Sequence, residues 1–292
     1  MKSLSLFTNI KNGLNKKEFK DHLIAIGGYQ GSEKEYNALL KDYSFNPKDV
    51  ETNLLPDNYK KSRYSDIFCL DRTRVKLKDG GFIHANWVDG YERPSKFICS
   101  QGPMDTTLHD FYEMIEMQEI PIIVMTTKTV EKNLNKCHQY WPAKVNEMLK
   151  VGNYEIRNMK TLTHEHCTIV TDLSVLNTSN SFKLLVTHIQ FVSWPDHGVP
   201  KNSDQFNMLT EIVANCDETA NPSGKPILVH CSAGIGRSGA FIVVDIAKKM
   251  YDKMQVINIL EVVKLLRSQR AHCVQTAEQY SFCYHVLDRY LN

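Results

Sequence analysis

Apolar and polar positions alternate along this chain in a way that switches repeatedly between strand and helix periods. Two short, unbroken apolar runs, PIIVMTT (121–127) and PILVH (226–230), have the pattern of strands covered on both faces. TRVKL (73–77) alternates, meets the turn signal KDGG and continues into FIHANWVDG (82–90), as a hairpin would. HCTIVTDLSVL and SFKLLVTHIQFVSW read as strands on either side of the polar turn NTSN. Helical spacing predicts helices over 104–118, 203–215, about 237–252, 256–269 and 276–291. The last opens with TAEQ, a capping-box pattern of Thr276 and Gln279. Residues 16–42 are helical in pattern but broken at GGYQG. The stripe VVKLL and the aromatics of 280–291 are read as core. No repeat or low-complexity linker divides the chain, so the pattern predicts a helical lead-in over 1–34 and one domain over 35–292. Its class is α/β (α+β), a mixed sheet covered by helices.

Composition narrows the choices. The 292 residues are 42% hydrophobic and carry a net charge of +2, enough core for a large domain and no field that would draw it to nucleic acid or lipid. No apolar run approaches the roughly 20 residues of a spanning helix, so no stable membrane insertion is expected. MKSLSLFTNIKNGLNKKEF reads poorly as a signal peptide. Lys16, Lys17 and Lys20 are read as a solvated face. None of the eight cysteines falls in a CxxC pair, which argues against zinc ribbons and for reduced, cytoplasmic thiols.

The segment HCSAGIGRSG (230–239) carries the chemistry. It links a buried strand to a helix through small residues, an arrangement that offers backbone N–H groups and a helix N-terminus to an anion. A plain strand-to-helix turn would need neither Cys231 nor Arg237. Arg237 supplies a planar fork of donors suited to two phosphate oxygens. The same N–H groups favour a thiolate at Cys231, and a thiolate beneath a bound phosphate is a nucleophile aimed at phosphorus. Ser238 can donate to that sulfur and help it leave. With no Walker lysine in the loop, the chemistry predicts covalent phosphoryl transfer without metal or cofactor.

VHCSAGIGRSG resembles the signature loop of the cysteine-dependent protein tyrosine phosphatases, with Ser232, Ala233, Gly234, Ile235 and Gly236 wrapping the phosphate and His230 behind the nucleophile. Other stretches resemble that family in order. SWPDHGVP (193–200) resembles its mobile acid loop, which implies Asp196 as general acid and Trp194 as hinge anchor. VQTAEQY (274–280) resembles its glutamine loop, which implies Gln275 positioning water and Gln279 in support. KSRYSDI (61–67) resembles the loop that sets pocket depth, with Tyr64 stacking on the substrate ring and Asp66 accepting hydrogen bonds from the peptide. VEKNLNKCHQYWP (130–142) resembles the loop in which Glu131 pairs with the signature arginine, Lys136 lies near the acid loop and Tyr140 bonds toward His230. FICSQGP (97–103) and HANWVDGY (84–91) complete a likeness running from about residue 35 to 291. The implied fold is the family's strongly twisted mixed sheet with helices on both sides. The implied activity is hydrolysis of phosphotyrosine on proteins in signalling, by a cytoplasmic monomer. Two other readings use the same loop: a phosphotyrosine-binding trap without turnover, and an RNA or lipid phosphatase. The tyrosine slot, the acid loop and the modest net charge weigh against the latter.

The sequence also departs from the family pattern. Cys69 stands at a usual proline, Trp87 at a usual tyrosine, Ser238 at a commoner threonine, and KNLN lacks a usual glycine and arginine. The departures favour a likeness to virus-encoded single-domain members acting in host-cell cytoplasm. His272 falls where the resemblance places the pocket entrance; a bulky imidazole there predicts weak selectivity for doubly phosphorylated peptides. Cys273, close to Gln275 in sequence, is read as a buried thiol, with a resolving role in oxidation as the alternative.

Overall fold

The computed structural model describes residues 5–44 and 46–292; residues 1–4 of the expected lead-in lie outside them. The strands are β1 (Arg74–Lys76), β2 (Phe82–Gly90), β3 (Arg93–Ser100), β4 (Ile122–Met125), β5 (Val130–Glu131), β6 (Leu134–Asn135), β7 (Met148–Val151), β8 (Tyr154–His164), β9 (Thr168–Asn177), β10 (Lys183–Phe191) and β11 (Ile227–His230). The helices are α1 (Lys16–Ala25), α2 (Ser32–Asp42), α3 (Glu51–Leu54), α4 (Pro56–Tyr59), α5 (Leu108–Gln118), α6 (Ser203–Ala220), α7 (Gly236–Met254), α8 (Ile259–Gln269) and α9 (Ala277–Leu291). Strands order as β1-β2-β3-β11-β4-β10-β9-β8-β7 in one mixed sheet, with β5-β6 a separate small ribbon.

The two apolar runs sit at the centre of this sheet. β11 pairs in parallel with both β3 and β4, and β4 in parallel with β10. Alternation along these strands feeds two cores. Ile122, Val124, Ile227, Val229, Phe97 and Cys99 join the core that packs α6, α7, α8 and α9. Ile123, Met125, Leu228 and Ile98 face the opposite side, against Phe111, Met114 and Ile115 of α5. Helices therefore cover both faces, which is why neither run shows a polar side.

Several boundaries differ from expectation. β3, β7 and β8 are strands that the hydrophobic pattern did not mark; β8 is buried at Tyr154, Ile156 and Asn158 and then runs on through residues 159–164, none of them buried. The helix expected from 256 begins at Ile259, because the Asn258 side chain caps it by accepting from Glu261 N–H. Ile257 instead forms an antiparallel bridge with Leu14 and ties the N-terminal segment to the domain. α6 runs five residues past the expected 215, to Ala220.

Candidate active site

Four parallel strands end at the same edge of the sheet, and their C-terminal extensions bring the sequence-predicted residues together. β11 leads into Cys231, β4 into Thr127, β3 into Gln101 and Gly102, and β10 into Trp194 and Asp196. A pocket of about 270 Å³ opens there. Its walls include Cys231, Ser232, Ala233, Gly236, Arg237, Tyr64, Asp66, Glu131, Lys136, Gln275 and Gln279.

The loop from Cys231 to Gly236 is shaped by where its carbonyls go. Thr126 N–H donates to His230 O (3.0 Å), Gly102 N–H to Ser232 O (2.9 Å) and Val274 N–H to Ile235 O (2.9 Å). Arg270, fully buried, donates to both Ala233 O and Gly234 O at 3.1 Å. Each trans peptide points its N–H opposite to its carbonyl. Carbonyls bonded to the surrounding frame therefore turn the following N–H groups toward the pocket. One of them, Gly234 N–H, reaches the Cys231 sulfur at 3.2 Å. Gly234 adopts φ +69°, and a Cβ there would lie 1.9 Å from Ser100 O, so only glycine fits this turn.

Behind the loop a buried chain of polar groups supports the strand that leads into Cys231. Tyr140 Oη lies 2.7 Å from His230 Nε2 and 2.8 Å from His188 Nε2. His230 Nδ1 donates to Cys231 O at 3.1 Å. With Nδ1–H donating, neutral His230 accepts from Tyr140 at Nε2, and His188 in turn donates to Tyr140. Burial keeps both imidazoles neutral, lowering His230 to about 4 and His188 to about 3.

Arg237 is held by Glu131 in a bidentate pair, Nη1 to Oε1 at 2.6 Å and Nη2 to Oε2 at 2.9 Å. Burial alone would push the Glu131 carboxyl up; hydrogen bonds and charge from Arg237, with help from Lys128 N–H and Thr127, outweigh it and hold the group below the usual carboxylate range. The remaining hydrogens of Nη1 and Nη2 reach Thr127 Oγ1 and Pro195 O, each at 3.3 Å. Arg237 also lies 5.7 Å from the centroid of the buried Trp194 ring.

Around the rim, Tyr64 Oη and Ser232 Oγ are 2.8 Å apart, and Ser232 Oγ donates to Lys136 O at 2.7 Å. Gln279 Oε1 accepts from Gln275 N–H at 2.9 Å, which fixes the backbone from which the Gln275 side chain extends. The acid loop is placed differently. Asp196 is exposed and does not line the pocket, while Trp194 is buried and donates from Nε1 to Gly198 O at 3.1 Å.

One expected contact is not formed, and one expected residue is not among the pocket walls. Ser238 Oγ is buried and makes no hydrogen bond, so its expected bond to the Cys231 sulfur is not formed; the sulfur takes the Gly234 N–H instead. His272 does not line the pocket. Its backbone is left-handed (φ +62°), and its ring turns to pack edge-on against Tyr43, with centroids 5.7 Å apart. Its neighbour Arg267 is buried between Tyr36 and Tyr43 and donates to Cys273 O and Val274 O.

Arg270, Arg267, His188 and Thr127 were not read from the sequence as parts of the site. Nor was Arg63, whose guanidinium donates to Gly102 O and Pro103 O beside the pocket wall. Most acceptors of the three arginines are backbone carbonyls, which leave no mark in sequence. Among the described residues, His109, Asp110 and Glu113 are the trio close enough to share a cation. Each is already engaged, by Asn153, Lys61 and Lys78 N–H respectively, as a structural contact would be.

The pattern of the family described as protein-tyrosine phosphatase matches residues 58–289. The chain is 37% identical over 272 residues to human Tyrosine-protein phosphatase non-receptor type 9, covering 87% of this chain and 45% of that protein. It is 36% identical over 253 residues to Tyrosine phosphatase H2 of Microplitis demolitor bracovirus, covering 81% of this chain and 76% of that one. It is 35% identical over 291 residues to the Putative receptor-type tyrosine-protein phosphatase mosPTP-1 of Aedes aegypti, covering 92% of this chain and 21% of that protein. The chain thus spans less than half the length of the human relative.

Proposed function

The chain belongs to the protein-tyrosine phosphatase family, and from that premise we propose that it hydrolyses phosphotyrosine in proteins through a phosphocysteine on Cys231. The observation that carries this reading is the floor of the pocket: a cysteine sulfur bonded by Gly234 N–H, beneath a loop whose N–H groups face the pocket, beside an arginine oriented by a buried carboxylate. The thiolate attacks phosphorus while the loop N–H groups and Arg237 take the non-bridging oxygens. Asp196 protonates the departing tyrosine oxygen. A water placed by Gln275 then gives its proton to Asp196 and attacks the phosphocysteine, releasing inorganic phosphate and the Cys231 thiolate. Tyr64 walls the slot against the substrate ring and Asp66 holds the peptide backbone; Ser238 serves the leaving sulfur once the two side chains turn into hydrogen-bond reach.

Arg237 supports a link between binding and acid delivery. Its Nη2 hydrogens go to Glu131 and Pro195 O. A phosphate that recruits the second of these releases Pro195 and frees the acid loop to carry Asp196 inward.

Within this proposal residues 35–292 are the catalytic domain and 1–34 its lead-in. The protein acts as a monomer in the cytoplasm, in a host cell if it shares the setting of its bracovirus relative. Among the described residues no helix is long and apolar enough to cross a membrane. A phosphotyrosine trap is the second reading, favoured by the position of Asp196 outside the pocket. Phosphate release from phosphotyrosyl and phosphoseryl peptides, measured in reductant and EDTA, separates the two. Rapid release from the phosphotyrosyl peptide alone, lost in Cys231→Ser, supports the enzyme; tight binding by folded wild type without release supports the trap.

A further inference from the structure

Just before Gln275 the chain makes a turn that a branched side chain ordinarily avoids. Val274 is fully buried and adopts φ +57°. In that left-handed region the Cβ crowds the following carbonyl oxygen, and a β-branched residue is a rare occupant. A residue kept there has to be held by its surroundings. Both main-chain polar atoms of Val274 are held. Its N–H donates to Ile235 O at 2.9 Å, on the loop that follows Cys231. Its carbonyl accepts from Tyr36 Oη at 2.9 Å and from Arg267 Nη2 at 2.7 Å. The second Nη2 hydrogen of Arg267 goes to Tyr36 Oη at 3.0 Å, and its Nε donates to the preceding carbonyl, Cys273 O, at 2.8 Å. Tyr36 belongs to α2 and Arg267 to α8; the guanidinium lies 5.3 and 5.0 Å from the ring centroids of Tyr36 and Tyr43, which pack it in place. Across the same peptide unit the Gln275 N–H points the other way and meets Gln279 Oε1 at 2.9 Å. One peptide, from Val274 to Gln275, is thus fixed from opposite sides.

We propose that Tyr36 and Arg267 are positioning residues for the second half of the reaction. They hold the Val274 carbonyl in its strained turn and so set the direction in which the Gln275 side chain leaves the backbone for the pocket. The proposal rests on the reading above of Gln275 as the residue that places water. Both side chains are buried, and neither is among the pocket walls, whereas Gln275 is. They act through the backbone and touch no reacting atom.

The two chemical steps should respond separately to their loss. Without one of the two donors, rotation of the Val274–Gln275 peptide relieves the left-handed strain and carries Gln275 away from the water. Attack of the thiolate on phosphorus does not use Gln275, so formation of the phosphocysteine is spared. Hydrolysis of the phosphocysteine is not. Helix α2, which the sequence marks only as the far side of a broken helical stretch, thereby gains a task in the reaction.

The test is rapid mixing of wild type and Tyr36→Phe, which keeps the ring and removes one donor, with p-nitrophenyl phosphate. In the variant the initial burst of nitrophenol should keep its rate within about twofold, while the steady phase that follows slows at least about fivefold. KM should fall with kcat and leave kcat/KM nearly unchanged. Equal slowing of both phases, the mark of a merely structural role, would overturn the proposal, and so would unchanged kinetics. Arg267→Lys, which cannot reach Cys273 O and Val274 O together, should show the same split. A second readout needs no turnover and stands apart from the catalytic reading. Amide exchange at Val274, whose N–H closes on Ile235 O, should quicken at least about tenfold in Tyr36→Phe relative to amides of α9. Unchanged exchange in the folded variant would overturn the proposal whether or not the wild type releases phosphate; a wild type that releases none would refute the catalytic reading instead.

Discussion

The loop around Cys231 and the loop around Asp196 are built in opposite ways. Around Cys231 the loop carbonyls are taken by Thr126, Gly102, Val274 and the buried Arg270, and the strand behind it is braced by Tyr140 and two neutral imidazoles. Around Asp196 the side chain is exposed, and a 3.3 Å bond from Arg237 to Pro195 O is the contact that reaches the site. Electrostatic stabilisation of a developing charge requires donors fixed in advance. Delivery of a proton to a leaving group requires a residue that arrives after the substrate does. The buried hydrogen bonds serve the first task, whereas Asp196 is left exposed beyond the buried Trp194.

The comparison breaks most clearly if the acid loop is disarmed while the fold is left alone. Asp196→Ala should lower kcat by about 10²–10⁴ and leave the urea midpoint equivalent to within roughly 0.5 kcal/mol. A large stability loss would mean that Asp196 is part of the frame. The reverse perturbation is Arg270→Met. It strands two loop carbonyls as well as His84 and Asn86, and should cost about 3–5 kcal/mol in urea unfolding together with most of the turnover. Retained stability with lost turnover would show that the loop frame stands without this brace.

Acid should attack the frame before the acid loop. His84, His188 and His230 are buried and neutral, with values lowered to about 3, 3 and 4. An imidazole whose folded value lies below its unfolded one binds its proton mainly in the unfolded chain between those values. Stability is therefore full at neutral pH and falls as pH drops below about 6.5, by about 1.4 kcal/mol per imidazole at pH 5.5. Urea midpoints from pH 7.5 to 5.5 check this; a flat profile would contradict it. The smallest effect is expected at His272→Gly. Relief of the left-handed backbone offsets the lost contact with Tyr43, so stability should stay within about 1 kcal/mol. Because the ring is not among the pocket walls and packs on Tyr43, turnover of bulky aryl phosphates should change less than about twofold, and a larger rise would show that the ring narrows the entrance.

The residues that face the pocket were largely legible in sequence, because each is a chemical group carried by its own short motif. Cys231, Arg237, Glu131, Tyr64 and Gln275 meet at one wall or floor as the strand ends dictate. The brace behind them was not, because Arg270 and Arg267 bond mainly to main-chain carbonyls whose partners are set by the fold. The same contrast holds for the scaffold. β4 and β11 are continuous apolar runs and stood out, whereas β8 alternates only over its first five residues, with the polar Asn158 among the buried ones, and has no buried side after that. The orientation of His272 was hidden for a related reason: sequence shows a bulky ring but not the left-handed turn that sends it toward Tyr43.

The central claim is that phosphate passes through Cys231. The most direct measurement is acid quenching of the Gln275→Ala variant within its first turnovers of a phosphotyrosyl peptide, followed by mass analysis of the peptide containing Cys231. The account predicts one phosphoryl group on that cysteine, accumulating faster than phosphate is released and absent from Cys231→Ser. Release of phosphate with Cys231 unmodified throughout would contradict it and assign the attack on phosphorus to water.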